Sequence, residues 1–206
     1  FFEGAGRLRA SLSEVRDGSA DAVVLACRGG GKTYLGAVAT ALDMLFKPGI
    51  EVKILAGSVE QGSKMHAHLR DIFAIPALAR EVAGRATDRR IALRNKSSVT
   101  VLAQSETSIR GVRAQKIRCD EVEMFTLPVW EAAQLVTRSK QCGPVAVAGT
   151  IEVLSTGHKL NGVMQKLIEE CGRGKRRLFR WGVGSVLGTC EEWRECGEER
   201  EAAKSP

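Results

Sequence analysis

The apolar positions of this chain alternate between two rhythms. Short runs read as strands: "DAVVLA" (21–26) as a buried one, "EVKILAG" (51–57) as the next, "QKIRCDE" (115–121) as strand-like and running into two acids, and "GPVAVAGT" (143–150) as another apolar one. Between them lie segments whose apolar residues recur at helical spacing: 32–46, 58–73, 128–139 and 161–172. Lys47-Pro48-Gly49 stops the first and Ser58 caps the second. Pro128 sits in the first turn of the third, and Gly172 closes the fourth. "IALRN" and "SVTVLAQ" are spaced to pair as a hairpin around Lys96 and Ser97, and "KRRLFRWGVG" (175–184) predicts a last strand. Repeated strand–helix crossovers predict an α/β fold, a mainly parallel central sheet with helices on both faces. The expected organisation is an N-terminal segment 1–20, a domain over 21–185 and a charged tail 186–206.

Composition narrows this picture. With 206 residues, 44% of them hydrophobic, the chain has material for one core. Its net charge of +7 suits an anionic partner. Six irregularly spaced cysteines read as reduced thiols of an intracellular protein rather than a disulfide framework. Neither Cys190 with Cys196 nor His66 with His68 has the paired spacing of a structural zinc site. No apolar run reaches membrane-spanning length, so no membrane association is expected. The chain opens at Phe1 without a methionine, and a fragment of a longer protein is expected.

The stretch carrying the most chemistry is "ACRGGGKT" (26–33), between a predicted strand and a predicted helix. It follows the phosphate-loop pattern G-x-x-x-x-G-K-[ST], the Walker A motif, with Ala26 at the first glycine. Gly29, Gly30 and Gly31 let backbone amides turn toward phosphate oxygens at a helix N-terminus. Lys32 would reach the β- and γ-phosphates, Thr33 would place a hydroxyl on Mg²⁺, and Arg28 is a further cation in the loop. The expected cofactors are therefore a nucleoside triphosphate and Mg²⁺. "KIRCDEVEMF" (116–125) supplies the complementary Walker B acids. Asp120, ending a strand beside the loop-bearing strand, would hold Mg²⁺, and Glu121 would polarise the attacking water. Glu123 reads as part of a solvated turn.

Other features leave two readings open. In "SETSIRGVRAQ" (105–115), Arg110 or Arg113 is placed to stabilise charge in phosphoryl transfer across a subunit boundary, or simply to be solvated. Arg85, Arg89, Arg90, Arg94 and Lys96 form one basic group. Arg173, Lys175, Arg176, Arg177 and Arg180 form another. Each suits DNA phosphates or a solvated face. Trp130, Trp181 and Trp193 read as core or interface residues.

In order along the chain, "CRGGGKT", "ILAGSVEQGSKM", "SIRGVRAQKIRCDE", "VAVAGTIEVLSTG" and "RLFRWGVGSVLGTCEEW" resemble the ATPase domain of the terminase large subunit, the motor that packages double-stranded DNA into viral procapsids. The resemblance spans roughly residues 21 to 195. It implies a P-loop NTPase fold of the RecA-like (ASCE) type and ATP hydrolysis. Lys32 and Thr33 would bind phosphate and Mg²⁺, Arg28 would be the loop arginine, Asp120 the magnesium carboxylate and Glu121 the catalytic glutamate. It places Arg110 rather than Arg113 at the trans-acting arginine finger, and Thr150 in the motif that couples hydrolysis to movement. Double-stranded DNA, the portal and the small terminase subunit would be partners of a homo-oligomeric ring in the host bacterium's cytoplasm. The tail would lead toward a nuclease domain outside this chain. The alternatives are another P-loop translocase, helicase-like, and a nucleotide-binding regulatory module with little turnover.

Overall fold

The computed structural model describes residues 21–102, 105, 109–157 and 162–187. The segment 1–20 and the tail, with Cys190, Trp193 and Cys196, lie outside the described residues.

Seven strands form one sheet in the order β3-β4-β2-β5-β8-β1-β9. They are β1 (Ala22–Ala26), β2 (Glu51–Ala56), β3 (Arg90–Ala92), β4 (Ser98–Val101), β5 (Lys116–Asp120), β8 (Thr150–Ser155) and β9 (Arg177–Trp181). All neighbours are parallel except β3 with β4, the antiparallel hairpin at one edge. β6 (Lys140–Cys142) and β7 (Val145–Val147) make a separate two-stranded hairpin. The mixed α/β architecture with a mostly parallel sheet matches the sequence pattern, because interior parallel strands such as "AVVLA" are apolar throughout.

Helices cover both faces. On one, α1 (Lys32–Phe46) and α2 (Val59–Ala74) bury Met44, Met65 and Leu69 against Val52 and Ile54 of β2. On the other, α4 (Leu127–Gln134) and α5 (Val163–Gly172) bury Trp130 and Met164 against Ile117, Cys119 and Val153. Shorter elements are α3 (Pro76–Ala79), α6 (Val183–Leu187) and a 3-10 turn, Val122–Met124, directly after β5. Ser58 caps α2 as its position predicts, accepting from the Gln61 amide at 3.1 Å. The hairpin turn closes the far end of α1: Asn95 and Ser97 donate to the Met44 carbonyl at 2.7 and 2.8 Å, occupying an acceptor that a helix end leaves open.

Three local expectations are corrected. The helix expected over 128–139 ends at Gln134, because the next residues meet the segment just ahead of β5: Thr137 bridges to Ala114, and Arg138 N–H donates to the Ala114 carbonyl at 3.0 Å. The run 143–150 is not one core strand. Gly143 turns the β6–β7 hairpin, and the core strand β8 begins only at Thr150. The acid-bearing strand is not beside the loop-bearing one: β8 lies between β5 and β1. Among the described residues, no helix is long and apolar enough to cross a membrane.

Candidate nucleotide site

The loop after β1 is built by its glycines. Gly29 and Gly31 take φ of 74° and 78°, where a side chain is strained. At Gly30 a Cβ would lie 2.9 Å from the Cys27 sulfur and the Trp181 indole nitrogen, so the loop is too closely packed for one. Ala26 is tolerated where the motif has glycine because it is the last residue of β1, with its methyl buried in the core. Gly31 begins α1 without a side-chain cap, which leaves the first-turn amides available to an anion.

Lys32 is buried, and its ammonium donates to the Cys27 carbonyl of its own loop at 3.0 Å. The same nitrogen is 4.0 Å from Glu121 Oε1. Thr33 donates from Oγ1 to Asp120 Oδ2 at 3.0 Å, joining the start of α1 to the end of β5. Asp120 Oδ1 is buried without a hydrogen-bond partner. Burial pushes the Asp120 carboxyl up to about 6; the Thr33 hydroxyl works against this and the Glu121 charge adds to it. A buried carboxylate oxygen lacking a donor, beside a threonine hydroxyl, is an oxygen set suited to a hard divalent cation. Thr33 and Asp120 therefore fit Mg²⁺.

Glu121 has a left-handed backbone, φ 54° and ψ 51°, unusual for a residue with a side chain. Its amide donates to the Leu154 carbonyl of β8, and its carbonyl accepts from the Met124 amide, both at 2.9 Å. These bonds hold the turn that lifts its carboxylate out of the sheet. Thr156, just past β8, donates to Glu121 Oε2 at 3.3 Å. Arg28, Glu121, Thr156, Arg180 and Trp181 line a cleft of about 890 Å³ over the loop, within the usual range of small-molecule sites. Trp181, at the end of β9 opposite Ala26, donates from its indole to the Gly30 carbonyl at 2.9 Å.

The geometry is matched in solved proteins. The ATPase domain of the Thermus phage P74-26 large terminase superposes with a TM-score of 0.61 at 16% identity, over 100% of this chain and 91% of that one. The HK97 bacteriophage large terminase gives 0.62 at 15%, over 75% and 33%. The fold is that of large-terminase ATPase domains. The large terminase of another thermophilic bacteriophage gives 0.64 at 12%, over 86% of this chain and 44% of that chain. This chain thus spans less than half of that terminase, which has also been solved with ADP and with ATP-γ-S. No protein-family model matches the chain, and no curated protein does.

Set in this fold, the predicted residues separate into groups. Arg28, Gly29, Gly30, Gly31, Lys32, Thr33, Asp120 and Glu121 come together at the carboxyl end of the sheet. Arg110 is exposed and outside the residues lining the cleft. Thr150 is not brought to this end of the sheet: it is the first residue of β8, whose Leu154 and Ser155 are level with Asp120 and Leu25. It lies five residues, roughly 16 Å, from the phosphate end of that strand. The threonine that β8 does bring beside Glu121 is Thr156. Its signal was the strand's own length, since "TIEVLS" carries the chain across the sheet before "TG". Arg176 is not a free DNA contact. It is ion-paired with Asp21 and with Glu170 (2.7 Å) and stacks over Trp130, 5.6 Å from the ring centroid. Arg173, Lys175 and Arg177 are exposed. Glu123 is buried rather than solvated. Trp181, read as core or interface, lines the cleft.

Proposed function

We propose that this chain is the ATPase domain of a terminase large subunit, coupling ATP hydrolysis to translocation of double-stranded DNA into a viral procapsid. The observation that carries the reading is the junction of loop and acids: Thr33 bonded to Asp120, and Lys32 4.0 Å from Glu121, beneath one cleft.

In this reading the loop amides and Lys32 bind the triphosphate, and Lys32 exchanges the Cys27 carbonyl for phosphate oxygens. Thr33 and Asp120 would hold Mg²⁺, which would supply positive charge beside the phosphates. Glu121 accepts the proton of the attacking water, and Thr156 orients the carboxylate through its hydroxyl. Arg28 adds positive charge from within the loop. The exposed Arg110 completes the site of a neighbouring subunit in a homo-oligomeric ring, so turnover depends on assembly. DNA phosphates meet exposed cations such as Arg173, Lys175 and Arg177, without sequence readout. The portal and the small terminase subunit are the protein partners, and the host bacterium's cytoplasm is the location.

Steady-state ATP turnover with and without double-stranded DNA tests this. DNA should stimulate turnover, and Arg110→Ala should abolish the stimulated rate. Adding Glu121→Gln subunits to Arg110→Ala subunits should restore part of it, because each supplies what the other lacks. No rescue at any mixing ratio contradicts action in trans, and turnover indifferent to DNA contradicts the motor.

A further inference from the structure

The interface between α1 and β5 is polar along its length, although apolar packing surrounds it. On β5, Lys116, Arg118 and Asp120 alternate along the strand, and all three meet α1. On α1, Thr33, Thr40 and Asp43 recur at intervals of seven and three residues, one helical stripe that the C-cap residue Lys47 continues. The groups pair rung by rung. Thr33 bonds Asp120 at 3.0 Å, next to the catalytic acids. Arg118 Nη1 donates to Thr40 Oγ1 at 2.7 Å, and Nη2 to Asp43 Oδ2 at 2.5 Å. Lys116 is 3.3 Å and Lys47 2.5 Å from Asp43. Glu152 of β8 joins from the side, 2.8 Å from Lys116 and 2.7 Å from Arg118. Apart from Thr33, every side chain in these rungs is buried.

Five charges in a core, each with an opposite charge within 3.3 Å, are costly to desolvate and contribute little net stability over apolar packing. What they provide is register. Apolar surfaces of similar volume can slide by a fraction of a side chain, whereas an arginine fork between a helix and two strands fits one height only. We propose that Arg118 is a positioning residue for hydrolysis, locking α1 against β5 and β8 so that the rung Thr33–Asp120 closes into a cation site. The inference rests on the nucleotide reading given above, because that rung is where the cation of the nucleotide complex would be held.

The experiment uses the 206-residue chain with Mn²⁺ as the probe, titrated by electron paramagnetic resonance in the presence of ATP-γ-S. Arg118→Lys keeps the charge but loses the fork. It should bind Mn²⁺ about tenfold more weakly, as loss of an outer partner of a metal ligand does. ATP-γ-S affinity measured in EDTA should stay at the wild-type value, and so should the thermal midpoint. A second variant replaces the cluster with apolar chains: Asp43→Leu, Lys47→Met, Lys116→Met, Arg118→Met and Glu152→Leu. It should remain folded and lose Mn²⁺ affinity likewise. Wild-type Mn²⁺ affinity in either folded variant overturns the proposal. So does a parallel loss of metal-free ATP-γ-S binding, which would show general damage, and so does failure of both variants to fold. If the wild-type chain itself binds no ATP-γ-S, the nucleotide reading falls first, and the inference with it.

Discussion

Lys32, Asp120 and Glu121 at the cleft, and Asp43, Lys47, Lys116, Arg118 and Glu152 beneath α1, are two charge clusters on the same helix and strands. The cluster beneath α1 is closed. Burial alone would raise the Asp43 carboxyl, but Lys116, Arg118 and Lys47 outweigh it and hold that group well below the usual carboxylate range. Lys116 and Arg118 would lose protons on burial, yet the two carboxylates shift both upward. The cleft cluster is open. Lys32 occupies itself with a loop carbonyl, Asp120 keeps an oxygen without a donor, and that carboxyl is pushed up to about 6 by burial. The two assemblies thus differ in how closely opposite charges meet: 2.5–3.3 Å beneath α1, against 4.0 Å between Lys32 and Glu121 at the cleft. On the proposed reading, the tightly matched cluster serves the fold and the looser one is where nucleotide and cation would bind.

Opposite responses to substitution sharpen that contrast. Arg118→Ala leaves buried carboxylates without their cation and should cost about 3–5 kcal/mol of stability, measured by denaturant unfolding. Lys32→Ala should leave the unfolding midpoint nearly unchanged while lowering ATP turnover by about 10²–10³-fold. If both variants lose stability alike, the distinction between the clusters is wrong.

Asp120→Asn should move the apo protein the other way. A carboxyl whose pKa rises from 3.8 unfolded to about 6 folded binds its proton more tightly when native. The native state is then favoured below pH 3.8 and loses that advantage as pH rises to about 6, where the folded group ionises. Above pH 6 the amide avoids burying a charge, and Asp120→Asn should be more stable than wild type by about 1–3 kcal/mol, with the difference shrinking toward pH 4. A variant less stable than wild type at pH 8 would contradict this. The smallest contrast lies along β8. Thr156→Val should lower turnover by about tenfold through loss of a hydrogen bond to a charged group. Thr150→Val, at the far end of the strand, should change it less than about twofold by the same reasoning.

Much of this arrangement was legible in the sequence. Periodicity gave the core strands that carry Ala26 and Asp120 and the helix that follows Lys32, because each is a local signal. The loop and its acids were legible for the same reason, as contiguous motifs. Strand order was not: nothing local in "KIRCDE" or "TIEVLS" states that β8 inserts between β1 and β5. Thr150 was chosen because the start of β8 was read as the end of the strand before it. Arg176 was grouped with its basic neighbours because its acidic partner Asp21 is 155 residues away in sequence. The α1–β5 seam is not legible for a related reason: nothing local in "KIRCD" names Thr40, Asp43 and Glu152, more than 30 residues away in sequence, as the partners of Lys116 and Arg118.

The most direct test of the central claim is Glu121→Gln, comparing ATP-γ-S affinity with single-turnover ATP hydrolysis in the same preparation. The account predicts wild-type nucleotide affinity with hydrolysis slowed by about 10²–10⁴-fold, the usual contribution of a positioned general base. Hydrolysis at the wild-type rate in a variant that still binds nucleotide would remove Glu121 from the chemistry and contradict the account.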